Sequence, residues 1–164
     1  MSATPSNGEA LLLNWHHAIR ICHKAHIKAA AYMQKKGRAF GIPVVFLSTA
    51  AGTSVFATLE SSPSLGVKVA IGLVSLLAAV LAALQTYLGY SELAAQHRSA
   101  AQRYGALRRD IEQTLATGGA SAAVPPAYLE DVRSRWDSID EGSPNLSQRL
   151  YGRIEKDVKS RTTV

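Results

Sequence analysis

VAIGLVSLLAAVLAALQTYLGYS, residues 69–91, carries no charged side chain, and a second uncharged stretch, AFGIPVVFLSTAAGTSVFATL, occupies residues 39–59. At a rise of about 1.5 Å per residue, each is long enough as a helix to cross a hydrocarbon core of about 30 Å. Only ESSPSLGVK, residues 60–68, separates them, and Pro63 and Gly66 there suit a tight reversal. The pair reads as a transmembrane hairpin with spans at 39–59 and 69–91 and an outside loop at 60–68. The expected fold class is an all-α membrane protein, the hairpin carrying long cytosolic helical extensions and short C-terminal helices.

Outward from the hairpin, charge becomes dense. The arm 9–38 holds Arg20, Lys24, Lys28, Lys35, Lys36 and Arg38 against Glu9, and beyond the second span come Arg98, Arg103, Arg108 and Arg109. Basic flanks stay on the cytoplasmic side, so both termini are expected inside the cytoplasmic (inner) membrane. Basic residues so near a bilayer also attract anionic headgroups. The net charge of +6 has no aromatic platform or binding motif beside it, which argues against a nucleic-acid polymer as partner. A soluble bundle would need a wet face on every helix, and the middle of this chain offers none. The first apolar stretch lies behind a polar arm and reads as an anchor rather than a cleaved signal.

The arms show helical periodicity. Residues 1–8 are polar and expected to be disordered. From 9 to 38, Leu11, Trp15, Ile19, Cys22, His26, Ala29 and Met33 step by three or four, as on one face of an amphipathic helix. That helix is expected to break near Gly37 and Gly41, with Pro43 in the first turn of the next. Past the second span, no breaker is read before Gly118-Gly119, so one helix is expected from 69 to about 116. Its cytosolic stalk, 92–116, carries the stripe Leu93, His97, Ala100, Tyr104, Leu107, Ile111 and Leu115, which needs a partner; the N-terminal arm is nearest. A linker at 118–126 leads to C-terminal helices within 127–160, marked by Leu129, Val132, Trp136 and Ile139 and by Leu146, Leu150, Ile154 and Val158. Residues 9–160 are read as a single domain.

Chemistry is sparse. No phosphate-cradling glycine loop, cysteine-rich metal site or nucleophile elbow is present, and an enzyme is not expected. His16, His17, His23 and His26 are the most tempting cluster. No carboxylate or thiolate is spaced with them, and Lys24 and Lys28 oppose a cation, so packing is the better reading and neither a metal nor a cofactor is expected. The lone Cys22 has no intrachain disulfide partner. Within the spans, small and weakly polar residues stand out: Thr49, Gly52 and Thr53 in the first, Ser75, Gln85 and Thr86 in the second. Such residues let helices approach and bond to one another, so self-association is expected. If several copies enclose a conduit, Thr49, Thr53, Gln85 and Thr86 are the candidate lining.

GTSVFATL (52–59), VAIGLVSLLAAVLAALQTYL (69–88) and AAQHRSAAQRYGALRRDIEQTL (94–115) resemble the SLATT family, two-transmembrane effectors associated with SMODS nucleotide synthases and SLOG sensor domains. The similarity runs from about Trp15 to Ile154. It is most specific at Ala83-Leu84-Gln85-Thr86-Tyr87, His97, Tyr104 and Leu107-Arg108-Arg109. It implies a pore-forming effector of a bacterial conflict or antiphage system, oligomerising to permeabilise the inner membrane on an upstream signal such as a nucleotide. The implied partner is a nucleotide synthase or sensor protein. The family has no defined catalytic residues to carry over. A non-conducting membrane anchor that docks a cytosolic protein is the alternative from a different class.

Overall fold

A computed structural model of the chain describes residues 7–58, 64–117 and 124–162, without the side chains of 55–58 and 161–162. The tip of the outside loop, the last residue of the first predicted span and most of the 118–126 linker lie outside the described residues, as does nearly all of the polar N-terminus. Among the described residues the regular structure is entirely helical: α1 Asn7–Thr58, α2 Leu65–Leu88, α3 Tyr90–Thr117, α4 Pro126–Glu141 and α5 Gln148–Thr162.

Two helix boundaries differ from the sequence expectation. No break occurs at Gly37 or Gly41: α1 runs for 52 residues with Pro43 inside it. An interior proline costs about 3 kcal/mol. That loss is confined to one turn, whereas continuing the helix satisfies every backbone group on either side. The second difference is at Gly89, whose left-handed backbone (φ 53°) ends α2 and divides the predicted long helix. Glycine takes this conformation without the Cβ clash other residues meet, and so commonly follows the last turn of a helix. Its carbonyl accepts from the Leu93 amide at 3.0 Å, opening α3 at once.

The chain forms two compact units. One comprises residues 1–31 and 94–164. Its core joins Leu12 and Ile19 of α1, Ala100, Tyr104, Leu107 and Ile111 of α3, and Val132 and Ile139 of α4. The stalk stripe thus finds its partner in the N-terminal arm, with α4 closing the other side. Trp15 and Trp136 meet edge to face across this seam, with centroids 6.3 Å apart. A second cluster packs Ile154 and Val158 of α5 against Ile21 and Ala25. Burying each large aliphatic side chain contributes about 1.5–3 kcal/mol, so these stripes, rather than surface charges, hold the unit together.

The other unit, residues 32–93, contains the C-terminal part of α1 and all of α2. The two run antiparallel: a Cβ on Gly37 would lie 3.6 Å from Tyr90, and one on Gly41 would lie 3.2 Å from Gln85. The less exposed positions of α2 are Ile71, Val74, Ser75, Ala78, Leu81, Ala82 and Leu88, spaced as one helical stripe. The rest of α2 is bare. Leu73 and Leu76 are each 63% exposed and Leu65 78%. Among the described residues, this is the helix long and apolar enough to cross a membrane.

Candidate functional site

The four N-terminal histidines do not gather around a common point. His16 Nε2 donates to Glu112 at 3.0 Å, His23 lies against Gly105, and His26 meets His97, also at 3.0 Å between Nδ1 atoms. All three neighbours belong to α3, because spacings of seven and three bring these residues to one face of α1. Among the described residues no group of three or more His, Cys, Asp or Glu side chains is placed to hold a metal ion.

The His26–His97 pair is the most polar feature of the buried core. One Nδ1 carries the proton and the other accepts it, so the contact needs at least one neutral ring. His26 also stacks on Tyr104 with centroids 5.4 Å apart, and the Tyr104 hydroxyl donates to Asp140. Burial, reinforced by His97, lowers the His26 pKa from 6.5 to about 4, and burial lowers that of His97 as well. Burial and the nearby Asp140 charge push the Cys22 thiol up to about 11, which keeps it protonated and unreactive. Tyr104 and Asp140 are a contact the sequence left unread, since Asp140 follows the stripe of α4 and carries no periodic signal of its own.

The residues singled out in the apolar stretches separate into different roles. Thr49 Oγ1 donates to the Val45 carbonyl at 2.8 Å, and Thr53 Oγ1 to Thr49 at 3.0 Å and to Ala50 at 3.1 Å. Ser75 and Thr86 donate likewise to Ile71 and Ala82, at 2.9 and 3.1 Å. These hydroxyls are satisfied inside their own helices. Ser75 lies on the face α2 turns toward α1; Thr49, Thr53 and Thr86 are exposed. A Cβ on Gly52 would meet nothing within 4 Å, so the close approach occurs at Gly41 instead. The signal was present as Gly37-x-x-x-Gly41, a small-residue spacing suited to tight helix packing. Gln85 lays its amide over Gly41.

Where Gln85 covers Gly41 an open cleft of about 380 Å³ forms, with Arg38, Gln34 and Ser91 toward one end and Ile42 and Val45 toward the other. Beside it Lys36 Nζ sits 4.8 Å from the Tyr32 ring centre and 5.5 Å from that of Tyr90, and Phe40 stacks on Tyr90 at 6.0 Å. Cations held over aromatic faces gain about 0.5–2 kcal/mol, depending on desolvation. The four basic stalk residues play structural parts where their contacts are defined: Arg103 donates to the Ser138 carbonyl at 3.1 Å, and Arg108 pairs with Glu112 at 3.3 Å.

No family model, curated protein or solved structure matches this chain.

Proposed function

We propose that the chain is a membrane effector that crosses the bilayer twice, at 39–59 and 69–91, with both termini and the helical unit in the cytoplasm. It self-associates to permeabilise the inner membrane when an upstream signal, such as a nucleotide, is generated. The carrying observation is the surface of α2: Leu73, Leu76, Leu77, Val80 and Leu84 are all exposed, and Ala78 is its buried residue. A continuous apolar surface of this kind requires lipid or other copies around it. The resemblance to SLATT effectors supports the same reading and supplies its biology. Thr49, Gly52 and Thr53 remain exposed on α1, where a second copy can pack closely.

Orientation is tested by thiol labelling in a Cys22→Ser background. Ser64→Cys in intact cells should react with a membrane-impermeant reagent, while Ser134→Cys should react only after permeabilisation. The opposite pattern inverts the topology.

Conduction is tested by expressing the protein together with its genomic neighbours and following a potential-sensitive dye. Depolarisation is expected, and Thr49→Leu with Thr53→Leu should reduce it while leaving membrane insertion intact. Unchanged depolarisation in this double variant removes these residues from the pathway. A second reading, the non-conducting anchor, is favoured by the hydroxyls that already bond within their own helices and so demand no water-filled conduit. An intact potential under every activating condition would establish it.

A further inference from the structure

The cleft between α1 and α2 has the chemistry of a bound phospholipid. Along α1 its lining passes from Arg38 through the bare backbone of Gly41 to Ile42 and Val45, successive positions on one helical stripe. Across it stand the Gln85 amide and Ser91. Donors therefore cluster at one end, where the uncharged stretches begin and end, and aliphatic side chains continue from there into the apolar zone. Gly41 keeps the floor low: a Cβ there would lie 3.2 Å from the Gln85 amide nitrogen, tight enough that the Gln85 side chain would have to shift. The neighbouring Lys36, Tyr32, Tyr90 and Phe40 cluster marks the depth, because aromatic rings and basic side chains collect at the boundary between headgroups and hydrocarbon.

We infer that this cleft binds one anionic phospholipid of the cytoplasmic leaflet, its phosphate held by Arg38, Gln85 and Ser91 and an acyl chain lying along Ile42 and Val45. The inference rests on the membrane reading above. Guanidinium is the side chain best shaped to bind phosphate through paired hydrogen bonds. Lys35 and Lys36 add positive charge, and Glu92 beside Ser91 is the acidic residue that opposes it. The local excess of positive charge selects an anionic headgroup over a zwitterionic one. A lipid seated in the cleft beside Gly41 and Gln85 contacts both helices of the pair, so its occupancy would stiffen their packing at the cytoplasmic end.

The test uses the full-length protein purified in a neutral detergent, with lipid retention read by native mass spectrometry and thermal stability read in parallel. Phosphatidylglycerol should be retained as a single tight copy and raise the melting temperature, and phosphatidylcholine should do neither. Arg38→Gln should weaken phosphatidylglycerol binding about tenfold, the worth of one charge-assisted contact. Gly41→Leu, which fills the cleft, should abolish it, and Arg149→Gln, on α5, should leave it unchanged. Equal retention of both lipids, or full retention by Arg38→Gln, overturns the inference. Displacement of phosphatidylglycerol by millimolar inorganic phosphate alone assigns the site to a soluble phosphate and overturns it too. Alkaline carbonate extraction separates the two levels of argument. A protein that stays with the membrane but ignores phosphatidylglycerol loses only the lipid site, whereas one that washes off loses the membrane reading itself.

Discussion

Changing Ile111 to alanine should lower the unfolding free energy of the helical unit formed by residues 1–31 and 94–164 by about 2–5 kcal/mol, the usual cost of truncating a fully buried aliphatic side chain. Ile111 is wholly buried among Leu12, Ile19 and Val132, at the seam of α1, α3 and α4. The deleted methylenes leave a void bordered by three helices, none of which can collapse alone. Urea denaturation of the detergent-solubilised protein, followed by the near-ultraviolet signal of Trp15 and Trp136, reports on this seam directly. A midpoint equal to the parent's would mean that α4 does not close over α1 and α3. The apolar stretches, held by detergent, should keep their helical signal throughout.

Acidification should destabilise the same unit through the His26–His97 pair. The folded state holds His26 neutral down to about pH 4, while the unfolded chain takes up its proton near 6.5. Between those values the unfolded state binds more protons, so stability falls as pH falls. The contribution is fully present above pH 6.5 and is lost progressively toward pH 4. At about 1.4 kcal/mol per pKa unit the loss has an upper bound of roughly 3–4 kcal/mol. His97 acts in the same direction, and the hydrogen-bonded Glu112 extends it to lower pH, because His16 holds that carboxyl below its usual range. Replacing both His26 and His97 with leucine should flatten the stability profile between pH 6.5 and 4. An unchanged slope would assign the acid sensitivity to carboxylates alone. The Asp140 carboxylate accepts from the Tyr104 hydroxyl rather than from either histidine ring, so Tyr104→Phe should leave the histidine slope in place.

The periodic stripes are legible in the sequence itself. Leu107 and Ile111 of α3, and Val132 and Ile139 of α4, fall on the faces their spacing marked, because a helix has one angular repeat and an apolar stripe at that repeat must be covered. The exposed apolar surface of α2 was legible for a related reason: residues 69–91 leave no polar face to turn outward. The histidines were harder. Their shared face could be read, but whether that face met a metal, solvent or α3 depended on which helix lay opposite.

Sequence alone determined that the chain is helical, that nearly all of its charge lies in the arms, and that residues 69–91 can cross a membrane, since each follows from local composition and helical geometry. Tertiary structure decided where α1 continues and where α2 stops. Gly41 could have ended a helix, yet it is a packing surface under Gln85; Gly89, inside the helix expected from 69 to about 116, is the turn. Glycine permits both outcomes at similar local cost, so the choice falls to the contacts made by the helices on either side. The same holds for the polar residues of the two apolar stretches. Thr49 and Thr53 find partners one turn back along their own helix, while Gln85, with a longer side chain, reaches across to α1 and completes a cleft assembled from residues far apart in the chain.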